Sequence, residues 1–294
     1  MFAPPRVLPT TVYAELPASL SLAGEPSEWL FGKDKPDHGA FLEGPVFDPL
    51  GNLYVVDIPF GRIFRIAPDG RFATVVRYDG EPNGLARHPD GRLFIADHRR
   101  GILTLDPDTG RMETVLTRVR REGFKGTNDL IFASGGELYF TDQGQTGLHD
   151  PTGRLYRYHA DGRLDRLLDN VPSPNGLVLT PDQKALFLAV TRANQIWRVP
   201  LHSDGSVGKV GLFIQLQGGL TGPDGLAMDR SGRLAVAHCG MGVAWVFSPL
   251  GEPLYRINSC RGLSVSNLCF GPDGRTLYIT ESDSSTILRA ELPD

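Results

Sequence analysis

The chain has 294 residues, 40% of them hydrophobic, with 30 basic and 34 acidic side chains and a net charge of −4. That length can bury a large core, and the lack of a basic excess argues against nucleic acid or an anionic membrane as a partner. No apolar run is long enough to span a bilayer, and 35 glycines with 23 prolines argue against a helical protein.

The first residues, "MFAPPRVLPTTVYAELP", place prolines where an export signal needs an uninterrupted apolar segment, so a cytoplasmic location is expected. Within them, "TTVYAEL" at 11–17 reads as an isolated strand, and an irregular stretch follows over 18–42. Short alternating segments then dominate, among them "NLYVVDI", "RLFIADH", "ELYFTDQ" and "RLAVAHC", each behind a turn signal. The densest basic stretch, "RVRREGFK" at 118–125, reads as a solvated loop. "DQGQTGLHDPTGR" at 142–154 is a long insertion, which with 18–42 either carries specificity or is plain surface. Three cysteines without metal-type spacing (Cys239, Cys260 and Cys269) fit largely buried thiols in a reducing compartment.

The alternating segments form a repeat. Copies begin at Glu43, Asn83, Asn128, Asn175, Asp224 and Ser266, with steps of 40, 45, 47, 49 and 42 residues. Each reads as a first strand, a Pro/Asp/Gly turn, a Leu/Val/Tyr/Phe-rich second strand, a third strand and a less regular fourth. Six such copies predict a single all-β domain over residues 1–294, a six-bladed β-propeller with four-stranded antiparallel blades. The last copy lacks a fourth strand, and residues 11–17 are expected to supply it and close the ring.

"EPNGLAR", "SPNGLVL" and "GPDGLAM" would ordinarily suggest hairpin turns. Here the tight turn falls later, as at "HPDGR" 88–92, so the Asn-Gly and Asp-Gly pairs lie at the entrance to the first, channel-lining strand. One residue per blade should therefore meet its counterparts at one mouth of the channel. Glu43 and Asp224 offer two carboxylates there, and Asn128 and Asn175 two amide oxygens, a donor set suited to a hard divalent cation. The alternative is Asx turns at strand ends. Gly176 is expected to let the backbone come close at the mouth. A second column, Asp57, Asp97, Asp142, Val190, His238 and Glu281, lies at the ends of the second strands. These side chains either orient the ligands or bond backbone groups between blades.

On "LEGPVFD", "KGTNDLIF", "SPNGLVLT" and "GPDGLAMD", the chain resembles the calcium-dependent propeller hydrolases of the senescence marker protein and gluconolactonase type, over roughly residues 40–290. The resemblance implies a lactonase whose catalytic metal is held by Glu43, Asn128, Asn175 and Asp224, with Ca²⁺ favoured and Zn²⁺, Mn²⁺ or Mg²⁺ as alternatives. It points to Asp224 as the residue that moves a proton. Asp129 is a second catalytic candidate, because blade three places an acid where blades two, four and five have glycine. Sugar-lactonase members of the animal type carry an arginine two residues before the blade-three asparagine. Gly126 stands there instead, preceded by Lys125. Expected substrate contacts are Trp29, Asn83, Lys125, Gln143, Gln145 and His149. The expected partner is a small lactone or ester. The same ligands would equally serve a phosphotriesterase or fluorophosphatase, and a non-catalytic propeller with a structural metal is the remaining alternative.

Overall fold

The computed structural model describes residues 2–31 and 37–293, so the part of the 18–42 stretch at 32–36 lies outside the described residues. The described chain is a six-bladed β-propeller. The inner strands of blades one to six are Leu42–Phe47, Pro82–Arg87, Thr127–Phe132, Pro174–Leu179, Gly222–Met228 and Val265–Phe270. Each pairs antiparallel with a second strand, in order Leu53–Asp57, Leu93–Asp97, Leu138–Asp142, Ala185–Val190, Leu234–Cys239 and Thr276–Glu281.

The second strands are buried almost throughout, because a blade is covered on both faces by its neighbours. The core is correspondingly divided. Each of six apolar clusters fills one gap between adjacent blades, including Val56 with Leu85 between blades one and two and Ile287 with Leu42 between six and one. The hairpins between first and second strands close as their Pro/Asp/Gly sequences require. In "HPDGR" the Asp90 carboxylate accepts from Arg92 N at 3.0 Å, and Gly91 takes φ +99°.

Thr11–Glu15 pairs antiparallel with Thr286–Glu291 and supplies the fourth strand of blade six, as the repeat count requires. A further strand was not foreseen. Arg6–Pro9 runs parallel to Pro253–Asn258 and adds a fifth strand to blade five. Between these two strands Thr10 Oγ1 donates to Asn258 O at 3.0 Å and accepts from Cys260 N at 2.9 Å. The N-terminal segment thus fastens two adjacent blades.

Arg118–Val119 and Glu122–Gly123 form a small exposed hairpin in the basic stretch, where Glu122 pairs with Arg154 at 2.9 Å. The three thiols are unpaired, with Cys239 buried and Cys260, against expectation, exposed. Among the described residues no helix is long and apolar enough to cross a membrane.

Candidate active site

Every inner strand breaks register at the channel mouth. The shifts fall between Glu43 and Val46, Pro82 and Gly84, Thr127 and Leu130, Pro174 and Leu177, Pro223 and Leu226, and Val265 and Asn267. Such a bulge re-aims side chains that strict alternation would send to opposite faces. Backbone approach is close at these points. A Cβ on Gly176 would lie 2.4 Å from Asp224 O, so glycine is required beside Asn175.

The second-strand carboxylates hold the strand entrances. Asp57 accepts from Phe41 N at 2.9 Å, Asp97 from Glu81 N at 2.9 Å and Asp142 from Gly126 N at 2.8 Å. Each of these amides belongs to the residue two before the ring position of its own blade. These three aspartates of the column therefore set the backbone that enters the ring in their own blades, and Asp97 also accepts from the Tyr78 hydroxyl, just beyond the last strand of blade one, at 2.8 Å. Hydroxyl groups make the links between blades, with Thr141 donating to Asn175 O at 2.9 Å and Thr191 to Pro223 O at 2.7 Å.

Glu43, Asn83, Asn128, Asn175 and Asp224 line one cavity of about 1190 Å³. Ser266, the sixth ring position, does not. It is fully buried and donates to Leu42 O at 3.0 Å. The next residue, Asn267, reaches the ring instead, where its Nδ2 donates to Glu43 Oε2 at 2.7 Å. Gly44 N donates to the same oxygen at 2.8 Å. Asn267 also hydrogen-bonds Asp129. Sequence reasoning missed Asn267, although it is the second non-glycine residue, with Asp129, in the column that follows the ring position.

Asn128 is buried, and its Nδ2 donates to Gln143 Oε1 at 3.0 Å, while Gln143 Nε2 donates to Ser173 Oγ at 3.0 Å. This chain fixes the amide and leaves Asn128 Oδ1 buried without a hydrogen-bond partner. A buried acceptor in that state carries a desolvation penalty unless a ligand meets it. The carboxylates show the same tension. Burial, then the Asp224 charge, push Glu43 well above the usual glutamate range. Asp224 is pushed up to about 7 by burial and by Asp129, against hydrogen bonds from Asn175 and Cys239. Asp129 is pushed up to about 7, chiefly by burial. Asp129 and Asp224 keep some accessible surface in the channel, yet protein encloses them closely enough for desolvation to lead in both. Two carboxylates and two amides fit a hard divalent cation. Among the described residues, no three His, Cys, Asp or Glu side chains are grouped so as to hold a metal.

Of the expected substrate contacts, Trp29, Asn83, Gln143, Gln145 and His149 line the cavity. Lys125 is not among the lining residues, and its Nζ donates to Thr152 Oγ1 at 2.8 Å. Asp129 lies deeper, against Gly84, where a Cβ would stand 2.7 Å from its Oδ1. The 18–42 and 142–154 stretches both contribute to the wall. His98, unforeseen, lines it as well, and a Cβ on Gly126 would lie 2.3 Å from the His98 ring. His98 therefore occupies the space that a side chain at 126 would need.

A family model described as SMP-30/gluconolactonase/LRE-like region matches residues 41–283. The chain is 32% identical over 280 residues to a gluconolactonase of Zymomonas mobilis subsp. mobilis, covering 85% of this chain and 78% of that protein. It is 30% identical over 264 residues to lactonase drp35 of Staphylococcus aureus, covering 83% and 79%. Its structure matches a gluconolactonase of Xanthomonas campestris with TM-score 0.77 at 24% identity, covering 100% and 99% of the two chains. It matches a calcium-binding regucalcin of Agrobacterium tumefaciens with TM-score 0.75 at 21% identity, covering 99% and 98%. At these identities the structural likeness speaks to the fold. Since the family match spans all six inner strands and the curated relatives align over most of their length, the chain belongs to the SMP-30/gluconolactonase/LRE-like family.

Proposed function

We propose that this protein is a divalent-cation-dependent lactonase. The observation that carries the cation is Asn128 Oδ1, a buried acceptor without a protein partner beside two carboxylates of raised pKa. Family membership and relatives named gluconolactonase and lactonase support a lactone as the substrate.

Glu43, Asn128, Asn175 and Asp224 would hold the cation, and the all-oxygen set favours Ca²⁺ over softer ions, with Mg²⁺, Mn²⁺ and Zn²⁺ as alternatives. When bound, the cation supplies a Lewis acid for the lactone carbonyl and lowers the pKa of an attached water. Asn267 and Gly44 occupy Oε2 of Glu43, which directs Oε1 to ligation. Asp224 and Asp129, raised to about 7 in the cation-free protein, are the carboxylates that would take a proton from water and return it to the leaving alkoxide. Asn83, Gln145 and His149 border the space in which the lactone would lie.

The test is a panel of lactones and simple esters assayed with Ca²⁺, Mg²⁺, Mn²⁺ and Zn²⁺, with Glu43→Gln alongside. Cation-dependent lactone hydrolysis that Glu43→Gln abolishes is expected. Complete absence of cation-dependent turnover across the panel would refute the assignment.

A further inference from the structure

The rim of the cavity is chemically lopsided. Leu220 and Leu263 are 81% and 53% exposed, and both line the cavity. Single exposed leucines are common on protein surfaces, but these two line the same cavity and their backbones are held by one residue between them. Leu220 N donates to Gly240 O at 3.2 Å, and Gly240 N donates to Leu263 O at 2.9 Å, so one residue ties both backbones. Gly240 has φ +75°, and a Cβ there would lie 2.8 Å from Thr221 N. The arrangement therefore depends on glycine.

Apolar side chains recur around the ring on this side, with Thr221, Ser264, Asp283 and His38 between them. Leu220 lies in the connection leading into blade five, and Leu263 in the connection from blade five to blade six. Next in order, before and within blade one, come Trp29, Phe41 and Ile58, all lining the same cavity. The Trp29 and Phe41 rings pack with centroids 4.8 Å apart, and Ile58 N donates to Phe41 O at 3.2 Å. The opposite arc, from blades three and four, presents Gln145, His149 and Arg192, with Leu148 as its apolar member. The cation ligands lie between the two arcs.

A polyhydroxylated ring would need hydrogen-bond partners on every side, whereas the arc of blades five, six and one presents five large apolar side chains, and its Asp283 carboxylate is already engaged by Leu263 N at 2.9 Å and Ser264 Oγ at 2.9 Å. We infer that this arc is a subsite for an aliphatic substituent, and that the preferred substrate is an alkyl-substituted lactone. The inference rests on the lactonase reading and names its substrate class. The lactone ring lies at the cation ligands, its alkyl chain runs over Leu220 and Leu263 toward Trp29 and Phe41, and its polar edge faces the arc of His149 and Arg192.

The test compares kcat/KM for γ-lactones whose alkyl chain grows from methyl to octyl, with glucono-δ-lactone as the polar reference. Burial is worth at most about fourfold per methylene, and about twofold is expected at this open rim. The octyl-to-methyl ratio should fall at least about tenfold in Leu220→Ser/Leu263→Ser, since the arc loses much of its apolar area. Straight-chain alkyl carboxylates, as product-like ligands, should bind the cation-loaded protein more tightly with length, and this trend should weaken in the same variant. Hydrolysis of every lactone at rates independent of chain length would overturn the subsite and leave the lactonase reading standing. So would an unchanged octyl-to-methyl ratio in the double variant. Hydrolysis of no lactone with any cation would overturn the lactonase reading itself, and the substrate class with it.

Discussion

Replacing Asn267 with alanine removes a buried hydrogen bond of 2.7 Å to Glu43 Oε2 and leaves the Gly44 amide as that oxygen's remaining partner. A hydrogen bond to a charged group contributes about 1.5–3 kcal/mol, more than a neutral pair would. In the cation-free protein much of that value is absent, because burial and the Asp224 charge favour a neutral Glu43. The cation requires Glu43 ionised and correctly turned, so the loss should appear mainly in cation affinity. At 1.4 kcal/mol per decade the expected weakening is about 10- to 100-fold. Calorimetric titration with Ca²⁺ reads it directly, and the melting temperature without cation should fall by only a few degrees. Unchanged Ca²⁺ affinity in a variant that folds would refute the view that Asn267 positions Glu43.

Deleting residues 2–16 removes both Thr11–Glu15 and Arg6–Pro9, which opens the ring and exposes two sheet edges; thermal melting should show a sharp loss, and an unaltered transition would contradict the closure. Asp129→Asn should retain Ca²⁺ binding and lose most lactone turnover, because Asp129 lies outside the ligand set but within reach of the acid pair; full turnover would remove it from catalysis. Asp224 and Asp129, both raised to about 7, keep protons in the folded, cation-free protein that the unfolded chain releases near pH 4. For such raised acids, cation-free stability is greatest below the unfolded value and declines as pH rises through the folded value. If Asp224 ligates Ca²⁺ as proposed, the cation would compete with its proton, so Ca²⁺ affinity should rise from pH 5 to pH 8 with proton release on binding. Calorimetry in buffers of differing ionisation enthalpy measures that release, and pH-independent affinity without it would sink the linkage.

The blade repeat was legible because each copy carries its own punctuation. Asp48, Asp90 and Asp273 each bond the backbone of the turn that follows, so a local signal marks a local structure. The missing fourth strand was legible by counting. Arg6–Pro9 was not, because a parallel edge strand, paired with residues some 250 positions away, leaves no hairpin and no turn of its own. Lys125 was misplaced for a related reason. Proximity in sequence to Asn128 put it near the mouth, but its amine is engaged by Thr152 and it does not line the cavity.

Within the site, the division follows strand geometry. Glu43, Asn83, Asn128, Asn175 and Asp224 occupy one repeated register and line one cavity, so spacing was enough to bring them together, while Ser266 in the same register is buried. Asn267 required coordinates, because the register shift between Val265 and Asn267 turns its amide toward Glu43 while Ser266 stays buried, which a strict period of two does not predict. The orphaned Asn128 oxygen depends on Gln143 and Ser173, and the apolar arc on Gly240 tying Leu220 to Leu263. The oxygen-bearing side chains that meet at the cavity were written into the periodicity of the chain. Their orientation and the chemistry of the rim arise where separate connections converge in space, which no one-dimensional spacing records.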